Sequence, residues 1–158
     1  MKTVPEFERA VRMAYRVLVD RQVASLPVDP LELLRACRDT RVLTTAEAAE
    51  AMHLPLTQVE CLFAPGVEAI TLQMTDHGRT AYAVVYQAGG NPARLRFTLA
   101  HELGHRVLQH CDTHAALERE ADCFASHLLC PTPVLQRLLM RFGGRIAPEQ
   151  IAAACYVS

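Results

Sequence analysis

Two histidines four residues apart, His101 and His105, constrain this chain more than any other feature. They stand in the run His101-Glu102-Leu103-Gly104-His105. On a helix, residues four apart lie on one face about one turn apart, so both imidazoles can converge on one metal ion. The surrounding Leu99, Ala100, Leu103 and Gly104 are apolar or small and favour a helix packed in a core. Imidazole nitrogens suit zinc at roughly 2.0–2.1 Å. Glu102 points to one side of the pair. There it reaches a water at the metal rather than the metal itself, which is the place for a general base. The same five residues also read as two structural histidines on a half-buried helix.

A zinc site that does chemistry takes three protein ligands and leaves a fourth position to water. A third ligand is therefore expected downstream. The next helical stretch, residues 115–125, holds Glu118 and Asp122, four apart on one face. Glu118 would complete the site. Asp122 would accept from a ligand histidine's free N–H and hold its tautomer. Glu120 competes for the ligand role, but two helical steps turn it about 160° from that face. The triplet Glu118-Arg119-Glu120 also reads as a solvated charged face.

Three runs together resemble the ImmA/IrrE family of zinc metallopeptidases. They are Arg96-Phe97-Thr98-Leu99-Ala100-His101-Glu102-Leu103-Gly104-His105, the Glu-x-x-Ala-Asp-x-Phe-Ala of Glu118 to Ala125, and Leu128-Leu129-Cys130-Pro131. The likeness is strongest over residues 94–131 and extends loosely to Leu26-Pro27-Val28-Asp29-Pro30. It implies His101, His105 and Glu118 as zinc ligands and Glu102 as catalytic acid–base. It also implies a helix-turn-helix repressor as substrate. Two departures stand out. Cys130 replaces the usual methionine before the proline. The chain stops at Tyr156-Val157-Ser158, where relatives continue with further helix, so the resemblance implies a short member or a missing tail.

The chain has 158 residues, 51% of them hydrophobic, which suits one domain, 1–158, with a sizeable core. A net charge of −1 argues against direct nucleic-acid binding, which needs a basic face. No apolar run reaches the roughly 18 residues of a membrane helix, and Met1-Lys2-Thr3-Val4-Pro5-Glu6 lacks the apolar core of a signal peptide. A cytoplasmic protein is expected. The six cysteines, at 37, 61, 111, 123, 130 and 155, form no Cys-x-x-Cys. They read as reduced, mostly buried side chains. Cys111 and Cys123 flank Glu118 and leave a thiolate ligand open.

Along the chain, residues 6–21 predict a helix with Phe7, Val11, Ala14 and Leu18 on its core face. Asp29-Pro30 starts a second helix, and Thr44-Thr45-Ala46-Glu47 is a capping box for a third, to about His53. A short turn of helix is expected after Pro55. Residues 67–74 and 80–87 read as a β-hairpin around the turn 75–79. Asn91 caps the metal helix, which runs to about His110. The Glu118 helix runs to about Leu129, and apolar helices follow over 134–142 and from about Pro148. The organisation is a helical part to about residue 64, then the sheet and metal-site helices over about 65–131, then C-terminal helices over about 132–158. The fold class is α+β, mostly helical and zincin-like, with a small antiparallel hairpin beside the metal helix. Of the remaining histidines, His110 reads as a helix-end residue facing about 140° from His105 on an ideal helix. His114 could approach the metal from its loop. His127 lies on the helix face opposite Glu118, and His53 reads as a surface or helix-end residue.

Two functions are expected in competition. One is zinc-dependent endopeptidase activity, with water activated by Glu102 and the oxyanion stabiliser open among Tyr82, Tyr86, Tyr156 and the loop histidines. An extended substrate would pair with the strand ending at Gln87. The other is a metal-stabilised regulatory module that sequesters a partner without cutting it. Glu102 weighs against the second, since a purely structural site needs no acid beside its metal.

Overall fold

Side-chain caps begin several of the helices where the sequence signals place them. In the computed structural model, which describes residues 4–76, 79–112 and 114–157, α1 is Phe7–Asp20 and α2 is Pro30–Arg35. The Asp29 carboxylate accepts from the backbone N–H of Leu31 and Glu32, with Pro30 at the first helical position. A strand, β1 (Thr40–Thr44), runs into α3 (Thr45–Met52), which starts on a Thr44–Glu47 capping box. Pro55 precedes α4 (Leu56–Glu60). Then come β2 (Ala69–Asp76), β3 (Arg79–Tyr86) and α5 (Pro92–Leu108). Asn91 caps α5 by accepting from the N–H of Ala93 and Arg94. The chain continues through α6 (Ala115–Leu129), α7 (Thr132–Arg141) and α8 (Pro148–Cys155). His77 and Gly78 of the hairpin turn and Thr113 of the α5–α6 connection lie outside the described residues.

The fold is α+β. Its sheet has three strands, in the order β1-β3-β2. The hairpin pairs antiparallel with Thr71 opposite Val84, and β1 adds in parallel with Val42 opposite Val84. The expected hairpin is thus extended by a strand, β1, in a stretch to which the sequence signals assign no element. The expected docking strand also changes: β3, ending near Gln87, is central and has no edge to offer. The outer positions belong to β1 and β2; β2 is the one that borders the cleft with His101 and His105, and among the described residues no strand pairs with its far side.

One face of the sheet packs on α5. Leu99, Ala100 and Leu103 of α5 form a core with Phe124, Ala125 and Leu128 of α6, Leu34 of α2 and Val84 of β3. Ala10 and Ala14 of α1 complete it. The buried face of α1 is therefore shifted from the expected stripe. Small alanines meet α6 closely, while Phe7 is exposed, with the Arg119 guanidinium 5.5 Å from its ring centroid. Arg96 ties α5 to the rest of the molecule, donating to the carbonyls of Val28, Cys155 and Tyr156. The cysteines are all free thiols, but only Cys155 is buried; Cys61 and Cys111 are exposed. Both follow the last turn of a helix, where chain ends face water and small apolar side chains have nothing to pack on.

Candidate metal centre

Helices α5 and α6 meet at Gly104. A Cβ at this position would stand 3.0 Å from Cδ1 of Phe124 and 3.3 Å from the backbone of Ala121. Glycine therefore permits the closeness that brings the first turn of α6 against the two histidines. Nε2 of His101 and Nε2 of His105 are 2.9 Å apart. Glu118 places Oε2 at 3.2 Å from His101 Nε2 and Oε1 at 3.5 Å from His105 Nε2. One ligand atom from each residue lies within 4.8 Å of the others. Tetrahedral donors at about 2.05 Å from an ion stand about 3.3 Å apart, so this donor set fits a metal ion. Asp122 Oδ1 accepts from His101 Nδ1–H at 2.8 Å. That hydrogen bond leaves the Nε2 lone pair of His101 directed at the site.

Two residues near the centre have surroundings that the sequence reading did not foresee. Helix α5 ends in a Schellman motif: Gln109 turns left-handed at φ 57°, its N–H bonds the Arg106 carbonyl, and the His110 N–H bonds the His105 carbonyl. The turn folds His110 back onto His105, and their Nδ1 atoms are 3.0 Å apart. The 140° separation expected for His110 supposed a helix that continued, whereas α5 stops at Leu108. Glu120 does face away from the three-residue cluster, but it is not solvated. It is fully buried, with Oε2 3.2 Å from His110 Nε2 and Oε1 accepting from the Glu6 backbone N–H at 2.9 Å. A glycine at 109 would have signalled the turn; no signal in the triplet marks Glu120 as buried.

Burial, with the neighbouring charge of His101, pushes His105 below the ordinary histidine range, against the pull of Glu118 and Glu102. Burial lowers His110 too, against its hydrogen bond to Glu120. Both effects favour neutral imidazole, the state a metal ligand needs.

Glu102 does not join the ligand cluster. Its carboxylate accepts from the hydroxyl of Thr71 on β2. Both line a cleft of about 560 Å³ between β2 and the histidines, with Gln73, Tyr82, Cys111 and Asp112 on its walls. Of the three tyrosines considered for the oxyanion, Tyr82 lines this cleft, Tyr86 is buried and Tyr156 lies against Arg96. The Arg106 guanidinium covers the Tyr82 ring at 3.7 Å and pairs with Asp39 at 2.5 Å. His114 caps α6, its Nδ1 accepting from the Ala116 N–H at 3.2 Å, so it is occupied away from the cluster. His127 meets the Tyr15 hydroxyl across α1 at 3.1 Å. Cys123 Sγ lies 4.0 Å from the Phe7 carbonyl.

Residues 63–158 match the sequence profile of the IrrE N-terminal-like domain, a peptidase family. The chain belongs to the ImmA/IrrE family. The matched region contains β2, β3 and the two helices that build the cluster. The chain is also 29% identical, over 164 aligned positions, to the radiation response metalloprotease IrrE of Deinococcus radiodurans. That alignment covers 93% of this chain and 43% of the relative, so the chain spans less than half of the curated protein it matches. The matched family is named for a peptidase, and within the matched region the His101–His105–Glu118 cluster could hold a metal ion. No helix among the described residues is long and apolar enough to cross a membrane.

Proposed function

We propose that this ImmA/IrrE family member is a zinc-dependent endopeptidase acting in the cytoplasm, and that it cuts an extended segment of a helix-turn-helix repressor. The observation that carries the reading is the three-residue cluster with Glu102 beside it on the wall of one cleft. His101, His105 and Glu118 would hold the ion, with Asp122 orienting His101. A bound zinc ion lowers the pKa of water to about 7 and polarises a peptide carbonyl.

The remaining chemistry belongs to the chain. Glu102 takes a proton from the attacking water as its oxygen bonds to the carbonyl carbon, then delivers it to the amine nitrogen as the C–N bond breaks. Thr71 holds that carboxylate on the cleft side of α5. The edge of β2 is where an extended substrate pairs, since main-chain hydrogen bonds along a strand edge bind without regard to side chains. A folded helix could not pair there without local unfolding, so exposure of a flexible segment sets selectivity. The repressor as substrate rests on the family resemblance.

The test is to incubate zinc-loaded protein with the helix-turn-helix repressor encoded nearest to it, and separately with casein, and to map fragments by mass. Cleavage of the repressor at a discrete flexible site is expected. Rapid degradation of casein with the repressor intact would favour a general peptidase. A stable complex without cleavage would favour a sequestering module.

A further inference from the structure

Both histidines of the cluster present Nε2 to it, so each must carry its proton on Nδ1 when that nitrogen ligates a metal. For His101 the acceptor of that proton is Asp122. For His105 it is another imidazole: Nδ1 of His110, 3.0 Å away. His110 Nδ1 must then carry the lone pair, which leaves the proton on Nε2. That nitrogen faces Oε2 of Glu120 at 3.2 Å. The other oxygen of Glu120 accepts from the backbone N–H of Glu6, just before α1. Every proton along this path is then assigned by its neighbour. Glu120 is fully buried and the His110 side chain is 3% exposed, so water does not substitute for either.

We propose that His110 and Glu120 are positioning residues for His105, forming an imidazole–carboxylate chain that fixes the tautomer and ring plane of this ligand and anchors it to the start of α1. The proposal rests on the metal-site reading above. The Schellman turn at Gln109 builds the chain: the motif commonly sets the second residue beyond the helix end against the last turn, and here those partners are His110 and His105. Glu118 and Glu120 thereby divide the work of one short acidic run. Glu118 faces the ion site and Glu120 faces His110, behind His105.

The test titrates metal-free wild type, His110→Phe, His110→Asn and Glu120→Gln with zinc against a chromophoric chelator. Cobalt(II) absorption spectra and thermal melts are recorded in parallel. Outer partners of ligand histidines are typically worth about 10–100-fold in metal affinity. His110→Phe should lose affinity in that range and shift the cobalt spectrum. His110→Asn should recover much of both, because its amide oxygen can accept from His105 Nδ1–H. Glu120→Gln, whose amide oxygen still accepts from His110, should lose less than His110→Phe. A merely structural role would lower melting temperatures without this ranking.

Nitrogen-15 spectra of zinc-loaded wild type need no variant and guard against misfolded ones. They should show His105 protonated at Nδ1 and His110 at Nε2. A His110 protonated at Nδ1, or wild-type affinity and spectrum in His110→Phe, overturns the inference while leaving the metal site standing. Wild-type protein that binds no zinc overturns both.

Discussion

The hydroxyl of Thr71 donates to the carboxylate of Glu102, tying the edge strand β2 to the helix that carries both histidines. Thr71→Val keeps the shape and removes the donor. A hydrogen bond to a charged group is worth about 1.5–3 kcal/mol. Peptide cleavage should therefore slow by roughly tenfold or more, with zinc affinity unchanged. Single-turnover kinetics beside a chelator titration checks both. A rate equal to wild type would show that the contact does not orient the acid–base group.

Glu102→Gln retains size and a hydrogen-bond acceptor for Thr71 but cannot take the water's proton. Zinc content should stay at the wild-type level while cleavage falls by roughly 10²–10⁴-fold. Unchanged cleavage in a zinc-loaded variant would remove the proposed role of Glu102.

Gly104→Ala tests whether close helix approach builds the centre. Alanine gains about 1 kcal/mol of helix propensity over glycine. Its Cβ, however, would meet the Phe124 ring at 3.0 Å and the Ala121 backbone at 3.3 Å. Overpacking costs about 1–3 kcal/mol and would move α6, with Glu118 on it, away from the histidines. Lower melting temperature together with weaker zinc binding is expected. A raised melting temperature with intact binding would contradict the packing argument.

What could be read from sequence was local. His101, His105, Glu118 and Asp122 each follow from helical spacing on one of two helices, and Asp29, Thr44 and Asn91 announce their helices through their own side chains. The misses are non-local. Strand β1 forms because Val42 pairs with Val84, far along the chain, and its short run lies between two helix signals. Gln109 adopts a left-handed turn without being glycine, so nothing marked the place where His110 folds back. Glu120 sits in a run that looks like a wet surface, and only the packing of α1 on α6 makes it a buried acceptor.

The cysteines should differ sharply in reactivity. Burial, together with the neighbouring Cys155, pushes the Cys130 thiol up to about 12, while Cys61 and Cys111 are exposed. Thiolate is the reacting form. Iodoacetamide at pH 8, followed by mass mapping, should label Cys61 and Cys111 first and spare Cys130. Early labelling of Cys130 would contradict its placement.

The central claim is a metal centre made by His101, His105 and Glu118, and native mass spectrometry of zinc-reconstituted protein tests it most directly. Wild type should carry one zinc per chain. His105→Ala and Glu118→Ala should carry little or none, and both should remain folded by circular dichroism. Wild type without zinc, or a full equivalent of tightly held zinc in His105→Ala, would contradict the account.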